Sequence, residues 1–171
     1  MATPDGPADD IFEPGGRLRL DLLSEAAVTS LREALRLARE TRWDSLRSPH
    51  VFMGLLAVPD PSVQNWGDRL RADLPRLLQQ FQELFHQEDG EEEPVLVLNR
   101  EFFSDNVIRL LREAYGRAVD HARTHVTPMD LLISLLTASN SIVAECFERI
   151  GVTAAKLTEL AVMAEQHGRQ S

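Results

Sequence analysis

The chain has 171 residues, 43% of them hydrophobic and 26% charged, with one cysteine and a formal net charge of −9. That length suits one compact domain or two small lobes around a common core. One cysteine excludes an intrachain disulfide framework, and no apolar run approaches the ~18–20 residues that span a bilayer. The charge excess is local. Residues 1–16 hold Asp5, Asp9, Asp10 and Glu13, residues 86–94 hold Glu88, Asp89, Glu91, Glu92 and Glu93, and neither stretch has a Lys or Arg. Both are expected as solvated segments, a disordered tail at 1–16 and a linker at 86–94. The balanced remainder lacks the basic field that phosphate backbones require, so neither nucleic acid nor a membrane is an expected partner. The opening MATPDGPADD does not read as a signal peptide, and together with the lone Cys146 it points to a reducing cytoplasm.

After the tail, a first unit is expected over 17–85. RLRLDLL (17–23) alternates like a short strand. Ser24 then caps a helix in which Ala27, Leu31, Ala34, Leu35 and Ala38 recur at helical spacing. Ser48-Pro49 opens a second helix, as Thr127-Pro128 does later in the chain, each a capping hydroxyl ahead of a proline with no donor to lose; its positions 51, 52, 53, 55 and 56 are all apolar, the mark of a helix buried all round. A third helix begins near Asp60-Pro61, and a fourth runs from Asp73 to Phe85. Beyond the linker comes a second unit over 95–167, then a polar tail at 168–171. PVLVLNREFF (94–103) is its short strand, and Ser104 caps its first helix. Thr127-Pro128 opens its second, Asn140-Ser141 its third, which ends at Gly151, and Thr153 its fourth.

The two units are copies. An offset of 80 positions sets Ser24 on Ser104, the run Leu31, Arg32, Glu33, Ala34 on Leu111, Arg112, Glu113, Ala114, and Leu55-Leu56 on Leu135-Leu136. It also sets Val63 on Val143, Arg69 on Arg149 and Leu77 on Leu157, without a gap over about 55 residues. The expected fold is all-α: two tandem four-helix repeats related by a pseudo-two-fold axis, across which the two short strands would pair antiparallel.

Candidate sites follow from where the copies differ. Trp43 stands opposite Arg123 and Trp66 opposite Cys146, so a shared core demands an indole at neither place. With Phe85 and Phe102 beside the linker, these tryptophans are candidate partner-binding residues, against which the plainer reading is that each fills a gap left by copy-specific neighbours; Phe103 reads as core. Arg32, Arg36 and Arg39, with Arg42 beyond them, form a basic stripe that would suit an acidic peptide or adaptor. The alternative is a solvated face balanced by Glu33 and Glu40. His121 and His125 stand four apart, a spacing that could hold zinc with Asp120 or Glu113, against which surface histidines are the plainer reading. Cys146 in IVAECF reads as packed core rather than a catalytic thiol.

The order of a hydroxyl-capped helix with LREA-like alanines, a Ser/Thr-Pro step into a Leu-Leu-ending helix and a helix closing on FERIGV (147–152) resembles the Clp N-terminal repeat domain. The resemblance covers about residues 20–165. It implies the all-helical domain that precedes the motor modules of Clp-type AAA+ unfoldases, which performs no chemistry and passes substrates or adaptors to the ATP-driven pore. His50 falls where that family often carries a histidine, and Asp130 departs from it in the second copy. No G-x-x-x-x-G-K-[ST] loop is present to hold a nucleotide, and no cofactor, metal or catalytic residue is expected. The resemblance leaves two roles open, a motor's recognition domain or a stand-alone accessory that docks on a Clp motor or protease. A metal-dependent enzyme on His121 and His125 is a third reading of another class.

Overall fold

The computed structural model describes residues 10–90 and 94–170, with side chains as far as His167. Over these residues the chain forms four helices per copy. The first copy has α1 (Glu25–Glu40), α2 (Ser48–Ala57), α3 (Pro61–Leu70) and α4 (Leu74–Leu84). The second has α5 (Asp105–Asp120), α6 (Pro128–Thr137), α7 (Ile142–Glu148) and α8 (Ala154–Gln170). Ser24 and Ser104 share one backbone conformation, φ −67° and ψ 160°. Their hydroxyls accept from the Ala27 N–H at 3.1 Å and the Val107 N–H at 3.2 Å, so each satisfies one orphan donor of its helix. The uniformly apolar α2 and α6 are buried along nearly their whole length. In the first copy α1 lies so close to α2 that a Cβ at Gly54 would stand 2.2 Å from the Ser30 carbonyl oxygen.

Ser48 is not the cap expected of it. Arg47 is the N-cap, Ser48 is already helical, and the exposed Arg47 N–H is satisfied by Nδ1 of His50 at 3.0 Å. In the second copy the Asp130 carboxylate takes the same place, accepting from the Thr127 N–H at 2.8 Å, while the Thr127 hydroxyl caps as expected. One capping geometry is thus served by an imidazole in one copy and a carboxylate in the other.

The short strands at 17–23 and 94–103 do not form. Arg17 and Asn99 make a single antiparallel bridge. It is flanked by the Leu18 N–H to the Leu98 carbonyl (3.1 Å) and the Arg100 N–H to the Gly16 carbonyl (2.8 Å). Each chain then tightens into a 3-10 turn, Leu20–Leu22 and Arg100–Phe102. The reason is that the next residues pair elsewhere. The Ser24 N–H reaches the Val126 carbonyl and the Val126 N–H the Leu22 carbonyl, both at 2.8 Å. Their counterparts 80 positions away are the Ser104 N–H to Leu46 (3.0 Å) and the Leu46 N–H to Phe102 (2.8 Å). Each copy's entry segment therefore clips into the other copy's loop between first and second helices, and the pseudo-two-fold axis is written in backbone hydrogen bonds.

Two expectations about the acidic segments change. Residues 1–9 and 91–93 lie outside the described residues, but 10–16 are not a solvated tail. They turn back on Arg17–Arg19, with Ile11 and Phe12 at 0% and 1% exposure; the charge pattern concealed two core residues. Within 86–90, the Gln87 N–H donates to the Thr41 carbonyl (2.8 Å) and Arg42 Nη1 to the Glu88 carbonyl (3.2 Å), which lays this part of the linker along the end of α1.

The core joins both copies. Phe52 of α2 packs edge-on to Trp66 of α3 (ring centroids 6.1 Å apart), Phe81 of α4 (4.9 Å) and Phe147 of α7 (6.0 Å). The packing is not fully symmetric. Helix α8 lies along α3, whereas α4 does not lie along α7 and meets it at Phe81 and Phe147 (ring centroids 6.4 Å apart). Among the described residues no single helix is long and apolar enough to cross a membrane.

Candidate functional site

The asymmetry leaves a groove. Its walls are the loop before α2 and the start of that helix, the Phe85 end of α4, the first turns of α5 and the step from α6 into α7. The groove encloses about 520 Å³. Trp43, Phe85, Leu110 and Ile142 supply its apolar surface, and Arg47 and Arg109 are its two cations, with Glu113 the one acid. Ile142 is 42% exposed.

Trp43 is held on every side. Its indole N–H donates to the Phe85 carbonyl, its ring meets the edge of His50 at 5.5 Å, and the Arg47 guanidinium lies 4.9 Å above it. His50 is wholly buried. Burial first, and the nearby Arg47 charge second, push its pKa down to about 3, so the ring is neutral and its Nδ1 stays an acceptor at the helix cap.

At the equivalent positions of the second copy the chemistry is different in kind. Trp43, His50, Phe85 and Leu37 correspond to Arg123, Asp130, Glu165 and Arg117, and these four form one ionic cluster. Arg117 donates to Asp130 at 2.7 Å and to both Glu165 oxygens at 2.9 Å, and Arg123 donates to Asp130 at 2.8 Å. Burial alone would raise the Asp130 carboxyl. Hydrogen bonds from Arg123, the Thr127 N–H and Arg117 outweigh it and hold the carboxyl below its usual range. The copies have exchanged an uncharged, largely apolar quartet for a charged one at four matched sites, and the uncharged quartet is the one whose tryptophan and phenylalanine line the groove.

A second, more open cleft of about 620 Å³ lies along α1, between Arg32, Leu35 and Arg39 and the segments Arg17–Leu20 and Leu96–Asn99. Among the described residues Arg17, Arg32 and Arg39 line it and no acid does.

The structure distributes the sequence candidates as follows. Trp43 and Phe85 meet in the groove, and Arg32 and Arg39 in the second cleft, where Arg39 Nη1 also donates to the Leu96 carbonyl (3.3 Å). Arg36 lines neither; it pairs with Glu33 and Glu40 on its own helix. Phe102 is half-buried against the core and lies outside the groove. Trp66 is a correction to its place among the partner-binding candidates: it fills the core instead, 0% exposed, with Nε1 donating to the Leu157 carbonyl of α8 at 3.1 Å. The sequence comparison missed Leu110 and Ile142. Their counterparts are Ser30 and Ser62, so the same contrast between copies that singled out Trp43 would have found them.

The histidine pair does not share a helical face. Helix α5 ends at Asp120, His121 is its C-cap with Nδ1 against the Arg117 carbonyl (2.8 Å), and His125 lies in the loop beyond against Thr124. Among the described residues no group of three or more His, Cys, Asp or Glu is placed to hold a metal. Cys146 is half-buried against the core, and burial pushes its thiol up, away from the reactive thiolate.

No family model and no curated protein matches the sequence. Solved structures do match. The N-terminal domain of the caseinolytic protease associated chaperone ClpD from Arabidopsis thaliana superposes with a TM-score of 0.66 at 16% identity, over 86% of this chain and 96% of that one. The Hsp104 N-terminal domain from Candida albicans gives 0.66 at 14%, over 82% and 89%. This chain has the Clp N-domain fold. A ClpV N-domain in complex with a VipB peptide has the same architecture, with a TM-score of 0.60 at 17% identity over 84% and 86%. At such identities the likeness lies in the Clp N-domain backbone, and function has to be argued from this chain's own surfaces.

Proposed function

We propose that this Clp N-domain is a protein-interaction module that holds an extended segment of a substrate or adaptor in the groove between its copies and presents it to a Clp-type ATP-driven unfoldase of the cytoplasm. The observation that carries the proposal is the groove itself, apolar at Trp43, Phe85, Leu110 and Ile142 and edged by Arg47 and Arg109. Apolar contact supplies most of the affinity, and the two arginines favour segments with a carboxylate beside the apolar anchor. Because Trp43 is already fixed by Phe85, His50 and Arg47, little side-chain entropy is lost on binding. The VipB peptide bound to a ClpV N-domain supports a role in protein recognition for this fold.

Titration of the chain with fluorescently labelled, permanently unfolded α-lactalbumin tests the reading. Ile142→Asp places a charge on the exposed groove wall and is expected to weaken binding at least tenfold while the melting temperature moves by no more than a few degrees. Undiminished binding by that variant would overturn the assignment of the groove.

A further inference from the structure

The second cleft has a pseudo-symmetric counterpart, and that counterpart is filled. Shifting its lining residues Val97, Leu98, Asn99, Leu20 and Arg32 by 80 positions gives Arg17, Leu18, Arg19, Arg100 and Arg112. All five of those residues hold the segment Asp10–Glu13. Arg112 receives the Asp10 carboxylate through Nε (3.1 Å) and Nη2 (3.0 Å), and its guanidinium lies 5.5 Å from the Phe12 ring. Arg100 lies 5.8 Å from the same ring, and Leu18 bridges to Phe12. The Arg19 N–H donates to the Ile11 carbonyl and the Glu13 N–H to the Arg17 carbonyl, each at 2.8 Å.

In the second cleft the matching groups are in place, and among the described residues no such segment fills it. Arg32 is exposed and makes no ion pair among the described residues. The backbone groups that correspond to the Arg19 N–H and the Arg17 carbonyl are the Asn99 N–H and the Val97 carbonyl. These two groups bond to each other at 2.8 Å. Leu18, Leu35 and Leu96 form a buried apolar floor, while Val97 lines the cleft 49% exposed. Among the described residues, three arginines and no acid line the cleft, in a chain whose net charge is −9.

We infer that this cleft is a second docking site, and that it takes an extended segment of a partner protein carrying a carboxylate two residues before a large apolar side chain. The carboxylate pairs with Arg32, and Arg17 and Arg39 add to the field. The apolar side chain lies over Leu20 and Leu98, and the segment's backbone replaces the bond between Asn99 and Val97 with two of its own. Nucleic acid does not suit the surface, because three arginines around an apolar floor do not track a phosphate backbone.

The probe is the chain's own octapeptide ADDIFEPG (residues 8–15), fluorescein-labelled and titrated into the intact chain, with anisotropy as readout and the Asn99 amide followed by NMR. The expected result is saturable binding with a shift of the Asn99 amide. Affinity should fall at least tenfold in Arg32→Glu and in the milder Arg32→Gln, and at least tenfold when the second Asp of the peptide becomes Lys. Arg112→Glu and the groove variant Ile142→Asp should leave it within about twofold, so failure here and failure of the groove assignment are separately visible. A loss confined to Arg112→Glu, which would put the peptide on the occupied site, overturns the inference. So does the absence of binding up to about 1 mM, a free energy too weak for recognition. Equal affinity for a single-stranded oligonucleotide, or a dimer of the chain that Arg32→Glu dissociates, would assign the cleft to another occupant and would likewise overturn it.

Discussion

The exchange of an uncharged quartet for an ionic one makes a quantitative prediction at Asp130. Its side chain is 0% exposed, and its partners Arg117 and Arg123 are 16% and 23% exposed. Asp130→His should preserve the helix cap, since His50 performs that task in the first copy, but it removes the carboxylate from two guanidiniums. Breaking a buried pair costs ~3–5 kcal/mol. The lower end applies here because both arginines reach water and Arg117 keeps its bidentate bond to Glu165. A loss of about 3 kcal/mol lowers the melting temperature of a chain this long by about 6–12 °C. Circular dichroism melts and urea midpoints at pH 7.5, where the new histidine is neutral, measure it. Adding Arg123→Trp, Arg117→Leu and Glu165→Phe rebuilds the first copy's quartet in the second. The fourfold variant should be more stable than the summed single losses by at least ~1 kcal/mol. Strict additivity, or a shift under about 2 °C for Asp130→His alone, would refute the claim that the four positions act as a unit.

Trp66→Ala should destabilise by ~3–5 kcal/mol, because it empties a site between Phe52 and Phe147 and removes the hydrogen bond to Leu157; a near-native urea midpoint would contradict its place in the core. Phe12→Ala should cost a comparable ~3 kcal/mol or more, whereas a solvated tail would tolerate the change without effect in the same urea titration. His50 titrates near 3 in the folded chain against 6.5 when free, so the unfolded chain takes up a proton that the folded one refuses. Its contribution is therefore present above about pH 6.5 and is lost as pH falls, at ~1.4 kcal/mol per pH unit. Between pH 7 and 5, urea unfolding should show wild type losing ~2 kcal/mol more than His50→Asn, which keeps an acceptor at the cap. Parallel losses would refute the buried neutral ring.

The duplication was legible because helix caps and buried faces are local. Ser24, Ser104, the Pro-led second helices and the apolar runs 51–56 and 131–136 mark four helices per copy without any tertiary information. What could not be read locally was what each copy does for the other. RLRLDLL and PVLVLNREFF look like strands in isolation, yet their last residues, Leu23 and Phe103, are drawn into the opposite copy's loop at Val126 and Leu46. Asp10 and Glu13 made residues 10–16 look solvated, because acidity outweighs two apolar residues in a short window, although Ile11 and Phe12 lie in the core. The contrast between copies marked Trp43 for the groove, but the same contrast at Trp66 meant a core that is not symmetric. Only the packing of α3 along α8, which α4 does not match along α7, separates the two cases.

A photo-crosslinking amino acid placed in turn at Thr137, an exposed position on the groove wall, and at Ile150, 72% exposed and outside the groove, tests the central claim most directly. With unfolded α-lactalbumin present, irradiation should give adducts from position 137 and few from position 150. Equal yields at both positions, or none at 137 while the protein still binds, would contradict a docking surface built between the two copies.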